Sequence, residues 1–453
     1  MTKLAIIDIV GLTPKLLAHM PRVAAVATGG FRAELGTVLP AVTCSVQSTL
    51  LTGTLPRDHG IVGNGWLFRD QSEIWLWRQS NKLVAGEKLW DAARRVLGRE
   101  VTCANLCWWY AMGSTVDIAV TPRPVYYADG RKAPGVYTQP ASVGADLVKH
   151  LGEFPLFQFW GPGAGLASSA WIAAAARRVF DAHHPDLSLV YLPHLDYDLQ
   201  RYGSSGPEAI RAATELDAVA GELIDYFRSQ DVTVVVLSEY GISDVNRPIH
   251  VNRRLREAGL LDVAWNDAGE LLDTFTSRAF AVADHQVAHV YTSGPDATAA
   301  ARAALADLPG IAEILDDDGK RAAGLDHPRA GELVLVAEPD AWFTYYYWLD
   351  DARAPDFAPT VEIHRKPGYD PAELLFADGK AKARAAFRLA QKALGFRYVM
   401  DVIPIDGDRV RGSHGRLPTS SDDGPVLLCS DPRFARAKLD ATDVMELALE
   451  LLR

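Results

Sequence analysis

The sequence is short of cysteine, carries no long uncharged apolar run and has no surplus of basic residues. Cys44, Cys103, Cys107 and Cys429 are the only cysteines in 453 residues. They form no CxxC pair, which argues against a disulfide scaffold or a cysteine zinc site. No window approaches the ~18 uncharged apolar residues that a membrane-spanning helix needs. The first apolar run, 4–10, is broken by Asp8 and is too short for the hydrophobic part of a signal peptide. These absences lead us to expect a cytoplasmic enzyme with no membrane partner. Acidic residues outnumber basic ones, 57 to 46, for a net charge of −11. Such a surface repels phosphodiester backbones, so no nucleic-acid polymer is expected as partner. A small phosphorylated ligand stays compatible, because a bound metal inverts the local field.

What is present reads as an ordinary folded composition, 48% hydrophobic and 23% charged. Short runs rich in β-branched residues at 4–10, 101–106, 187–192, 232–238, 287–291 and 332–337 predict buried strands. Helical stretches are predicted at 168–182, 207–227, 252–258 and 298–308. Strands alternating with helices predict an α/β fold, a mostly parallel sheet flanked by helices. We expect a single domain over 1–453. Two irregular excursions, about 108–162 and 338–384, are expected to form a loop-rich lid or side lobe. The aromatic cluster Trp342–Trp348 in the second reads as packing rather than a ligand platform.

In open α/β sheets, ligands gather outside the carboxyl ends of the strands. Asp8 lies late in the first strand, Asp196 follows the strand 187–192, and Glu239-Tyr240-Gly241 follows the strand 232–237. Three strands thus deliver carboxylates to one edge, an arrangement that a divalent cation would neutralise. Singly, each acid would serve as a helix cap. Thr43 opens an apolar run in Pro40-Ala41-Val42-Thr43-Cys44-Ser45. A helix start there suits an alkoxide nucleophile and a bound phosphoryl group, or a plain cap. Asn64 stands on the turn His59-Gly60-Ile61-Val62-Gly63-Asn64, where its amide could donate to a charged oxygen. His414 sits in the Gly-rich segment Arg411-Gly412-Ser413-His414-Gly415. His364, beside Arg365 and Lys366, makes a basic turn that would read an anionic group of a substrate. His285 and His289 share one side of a strand and are read as structural.

In this order the segments resemble the alkaline phosphatase superfamily, and within it the type I phosphodiesterase / nucleotide pyrophosphatase branch. The resemblance implies a two-metal hydrolase of a small phosphorylated substrate. Thr43 would attack phosphorus, giving a phosphothreonine intermediate, and Asn64 would bind a phosphoryl oxygen. Asp8 and Thr43 would hold one metal; Asp196 and His414 would hold the other. Position 200, where the pattern has a histidine ligand, is Gln200. The later Asp-His-Gly is replaced by Glu239-Tyr240-Gly241. Gln200, Glu239 and Tyr240 are therefore the candidate ligands at those places. The exchange favours oxygen-preferring Mg or Mn over Zn, and two divalent ions or one. The alternatives are a phosphonate hydrolase or phosphoryl transferase of the same superfamily, or a metal-depleted protein that binds a phosphorylated ligand. Oligomeric state is not legible.

Overall fold

The computed structural model describes residues 2–128 and 132–453. The chain divides into two compact units. The first comprises 1–61, 79–242 and 417–453; the second comprises 62–78 and 243–416.

The first unit is built on a nine-stranded sheet. Its middle is the parallel set Ile118–Pro122, Cys103–Leu106, Leu187–Leu192, Lys3–Ile9 and Val232–Leu237. The central runs are buried almost without interruption, as strands covered on both faces must be. The long helices Leu166–His183 and Pro207–Ser229 pack on this sheet, the first burying alanines with Trp171, Ile172, Val179 and Phe180, the second an Ala- and Leu-rich stripe. The antiparallel strand Val136–Gln139 finishes one edge. On the other side the antiparallel strand Val426–Cys429 is followed by Phe31–Leu35 and the short edge strand Lys438–Leu439, both running with the parallel set. The excursion 108–162 is thus less loop-like than its composition suggests. Two of its segments, 118–122 and 136–139, extend the main sheet.

The second unit has its own four-stranded sheet, in the order Ala279–Asp284, Val287–Thr292, Leu333–Ala337, Ile311–Leu315. Its pairings are all antiparallel. The strands expected at 287–291 and 332–337 exist but belong here and not to the parallel sheet. Continuous apolar runs mark burial, and burial alone does not distinguish the two pairings. Trp342, Phe343, Tyr345, Tyr347 and Trp348 are all buried, as a packing role requires.

His289 belongs to this interior. Its Nε2–H donates to the Val62 carbonyl at 2.9 Å, and its Nδ1 accepts from the Gly331 amide at 3.1 Å. Burial lowers its pKa from 6.5 to about 4. The folded chain keeps this ring neutral while the unfolded chain protonates it below about pH 6.5. Its contribution is therefore complete above that pH and is lost as pH falls toward 4, by about 3 kcal/mol. Denaturant titrations at pH 7.5 and pH 5 should show a smaller loss of stability on acidification in His289→Gln than in the wild type.

Candidate active site

The carboxyl edge of the parallel strands in the first unit collects six of the predicted residues: Asp8, Thr43, Asp196, Gln200, Glu239 and Tyr240. Asp8 is the sixth residue of its strand, in register with Tyr191 and Leu237 on its neighbours. Glu239 and Tyr240 come just after the strand Val232–Leu237, with Ser238 between. Gly241 fixes their turn, since a Cβ there would lie 1.9 Å from the Asp423 carbonyl oxygen. Asp196 and Gln200 sit one turn apart on the helix His194–Tyr202. Because that segment is a helix, His194 and Asp198, two residues to either side, lie off Asp196's face. Asp198 is instead paired with Arg201 at 3.0 Å.

Thr43 is the first residue of the helix Thr43–Thr52, and Val42 occupies the cap position. Its hydroxyl is therefore not spent on capping. It lies 3.0 Å from the Tyr240 hydroxyl and is a neighbour of the Glu239 carboxyl. Tyr240 in turn hydrogen-bonds the Asp196 carboxyl. One turn along the same helix, Gln47 Nε2 donates to Asp8 Oδ2 at 3.2 Å and to Glu239 Oε1 at 2.6 Å. Gln47 Oε1 accepts from the Trp109 amide at 2.8 Å, which holds the amide in that orientation. The sequence reading missed Gln47. The available signal was its spacing of four from Thr43, which puts both on one helix face.

Asp8, Glu239 and Gln47 are at most 1% exposed. Burial raises the pKa of Asp8 and of Glu239, and the two carboxyls interact directly. Burial likewise pushes Asp196 up to about 7. Such a cluster must be neutralised by protons or by a cation.

Both ions that the resemblance implies can be tested against the donors present. Asp8 Oδ1 and Glu239 Oε2 are buried and receive no hydrogen bond. With Thr43 Oγ1 they make an all-oxygen set that fits one hard cation such as Mg²⁺ or Mn²⁺. The second position is poorer. Gln200 turns its amide nitrogen, not its oxygen, to Asp196 Oδ2 at 2.8 Å. Among the described residues no three His, Cys, Asp or Glu side chains are grouped to hold a metal. The first ion fits; the standard second one does not.

The second unit holds Asn64, His364, Lys366 and His414. Asn64 donates from its backbone N–H and its Nδ2 to the two oxygens of Asp284, at 2.7 and 3.0 Å. Asp284 also meets His285 Nδ1 at 2.8 Å. The His285 ring lies between Tyr369 and His414, with ring centroids 3.6 and 3.7 Å away. His285 has a φ of 61°, left-handed backbone that suits the tight turn between two strands. A strand pairing with His289 therefore does not describe it. His364 and Arg365 line a cavity of 270 Å³ with Trp75, Tyr347 and Phe357. Lys366 is not a solvated cation awaiting a ligand. It is 1% exposed and paired with Asp370 at 2.7 Å and Glu373 at 2.8 Å.

Solved structures share this fold. Murine ectonucleotide pyrophosphatase / phosphodiesterase 5, in an inactive Thr-to-Ala form with AMP, is 15% identical with a TM-score of 0.61, covering 100% of this chain and 95% of that one. The human ectonucleotide pyrophosphatase / phosphodiesterase 5 gives 15% and 0.59 over 100% and 95% of the two chains. Phosphonoacetate hydrolase from Sinorhizobium meliloti, with phosphonoformate, gives 15% and 0.61 over 100% and 96%. No curated protein sequence matches significantly. The family described as type I phosphodiesterase / nucleotide pyrophosphatase matches residues 4–370. The chain belongs to that family, in the alkaline phosphatase superfamily, and is an enzyme of the phosphoric ester hydrolase class.

Proposed function

We propose that the chain hydrolyses a small phosphorylated metabolite with Thr43 as nucleophile. The observation that carries this reading is the Thr43 hydroxyl. It stands at a helix N-terminus, is free of capping duty, and lies between a carboxyl and a phenol. The helix N-terminus favours a bound phosphoryl group, whose oxygens meet the backbone N–H groups of the first turn. Glu239 accepts the proton from Thr43 Oγ1 as that oxygen attacks phosphorus; the bond from phosphorus to the ester oxygen breaks, and the departing alkoxide takes a proton from water and leaves as the alcohol. Burial makes Glu239 a stronger base once it is ionised. Gln47 holds Glu239 and Asp8 in place, and Tyr240 orients the Thr43 oxygen while donating to Asp196. Water then attacks phosphorus, the bond from phosphorus to Thr43 Oγ1 breaks, and Glu239 returns its proton to that oxygen as the phosphate product leaves. An ion held by Asp8, Glu239 and Thr43 would supply charge stabilisation and a more acidic hydroxyl at Thr43.

Two relatives inform the substrate class. A nucleotide accompanies the murine structure, and replacing a threonine by alanine inactivates that protein. A phosphonate accompanies the bacterial hydrolase. Phosphoric esters are the first substrates to screen and phosphonates the second. A chain that binds such ligands tightly without turning them over would be a phospho-ligand-binding protein instead.

The cation is tested separately from the chemistry. Removing divalent ions with EDTA should lower the melting temperature, and adding Mg²⁺ or Mn²⁺ should restore it. In Glu239→Gln the response should vanish, because one carboxylate donor is gone. An undiminished response in Glu239→Gln would remove Glu239 from the ligand set.

A further inference from the structure

The helix Ala381–Ala393, in the second unit, turns basic and apolar outward together in a chain that is acidic overall. Between 380 and 397 the sequence has Lys380, Lys382, Arg384, Arg388, Lys392 and Arg397 and no acidic residue, in a chain of net charge −11. Ala381 is the only buried residue of the helix. Ala383, Phe387, Ala390 and Leu394 recur at spacings of four, three and four, so they line one face. Phe387 is 60% exposed, Leu394 74% and the following Phe396 64%. A different face is tied down: Arg384 Nε donates to the Asp401 carbonyl and Arg388 pairs with the Asp401 carboxylate at 2.9 Å. The helix is therefore held by its arginines while its apolar stripe faces outward.

We infer that this helix docks the enzyme onto an anionic lipid surface. An exposed stripe with Phe and Leu gives apolar area to bury at the acyl boundary, and the flanking lysines meet anionic headgroups. Charge complementarity selects this occupant. A second copy of an acidic chain lacks a lipid surface's density of negative charge, and a nucleic acid has no use for an aliphatic stripe. No helix is long and apolar enough to cross a membrane among the described residues, so the contact is peripheral. The inference is independent of the catalytic reading.

Co-sedimentation of the full chain with phosphatidylcholine vesicles, with and without phosphatidylserine, tests it. Binding is expected to the anionic vesicles only, to weaken with salt, and to fall about fivefold for each lysine among Lys382 and Lys392 changed to Gln. Phe387→Ser with Leu394→Ser should abolish binding while circular dichroism and the melting temperature stay unchanged, since both side chains are exposed. No binding to anionic vesicles, equal binding to both compositions, or full binding by the double variant would each overturn the inference. So would a lack of vesicle binding accompanied by dimer formation or oligonucleotide binding that the double variant loses.

Discussion

Thr43→Ala should lower turnover of any accepted phosphoric ester by at least about a thousandfold, because it removes the attacking atom itself. Stability should fall by only about 1 kcal/mol. The hydroxyl is not a cap, so the loss is one hydrogen bond, to Tyr240. Thr43→Ser keeps an oxygen at the same place and should recover a substantial part of the rate. Steady-state kinetics on the two variants, with melting curves beside them, separate a lost nucleophile from a damaged fold. Turnover that survives in Thr43→Ala would remove the assignment.

The second large effect is on stability and concerns the basic turn at 364–366. Lys366→Met leaves Asp370 and Glu373 buried without their shared cation, and should cost about 3–5 kcal/mol. Replacing Lys366 together with Asp370 and Glu373 by apolar residues should cost much less, since no uncompensated charge remains. Chemical denaturation of the single and triple variants measures both. The competing expectation, a lysine that contacts an anionic substrate group, predicts a raised KM with stability unchanged. That outcome would contradict the structural role.

Lys366 shows where the sequence misleads. A lysine beside His364 and Arg365 reads as solvated and available, yet its partners are four and seven residues further on. Spacing alone does not say that the turn closes over them. The division into two units was hidden for a related reason. Strands at 287–291 and 332–337 have the same apolar signature as those at 187–192 and 232–237, and pairing partners leave no mark on a single strand. What was legible is the edge chemistry of the first unit. The strand that carries Asp8 near its end, and those that stop shortly before Asp196 and Glu239, must be parallel neighbours for their acids to meet, and they are. Thr43 as a helix start was equally legible. That its hydroxyl would turn to Tyr240 and Glu239, with Gln47 bridging Asp8 and Glu239, depends on how the helix rotates against the sheet, and tertiary packing decides that.

The central claim is that Thr43 forms a bond to phosphorus, and a rapid-quench experiment tests it most directly. The wild-type enzyme is mixed with a phosphoric ester that it turns over, quenched in acid before one turnover is complete, digested, and its peptides mapped by mass spectrometry. The account predicts a phosphoryl-bearing adduct on Thr43 that forms and decays at rates consistent with turnover and is absent from Thr43→Ala. Full turnover with no adduct on Thr43 at any time point, or an adduct on another residue, would contradict it.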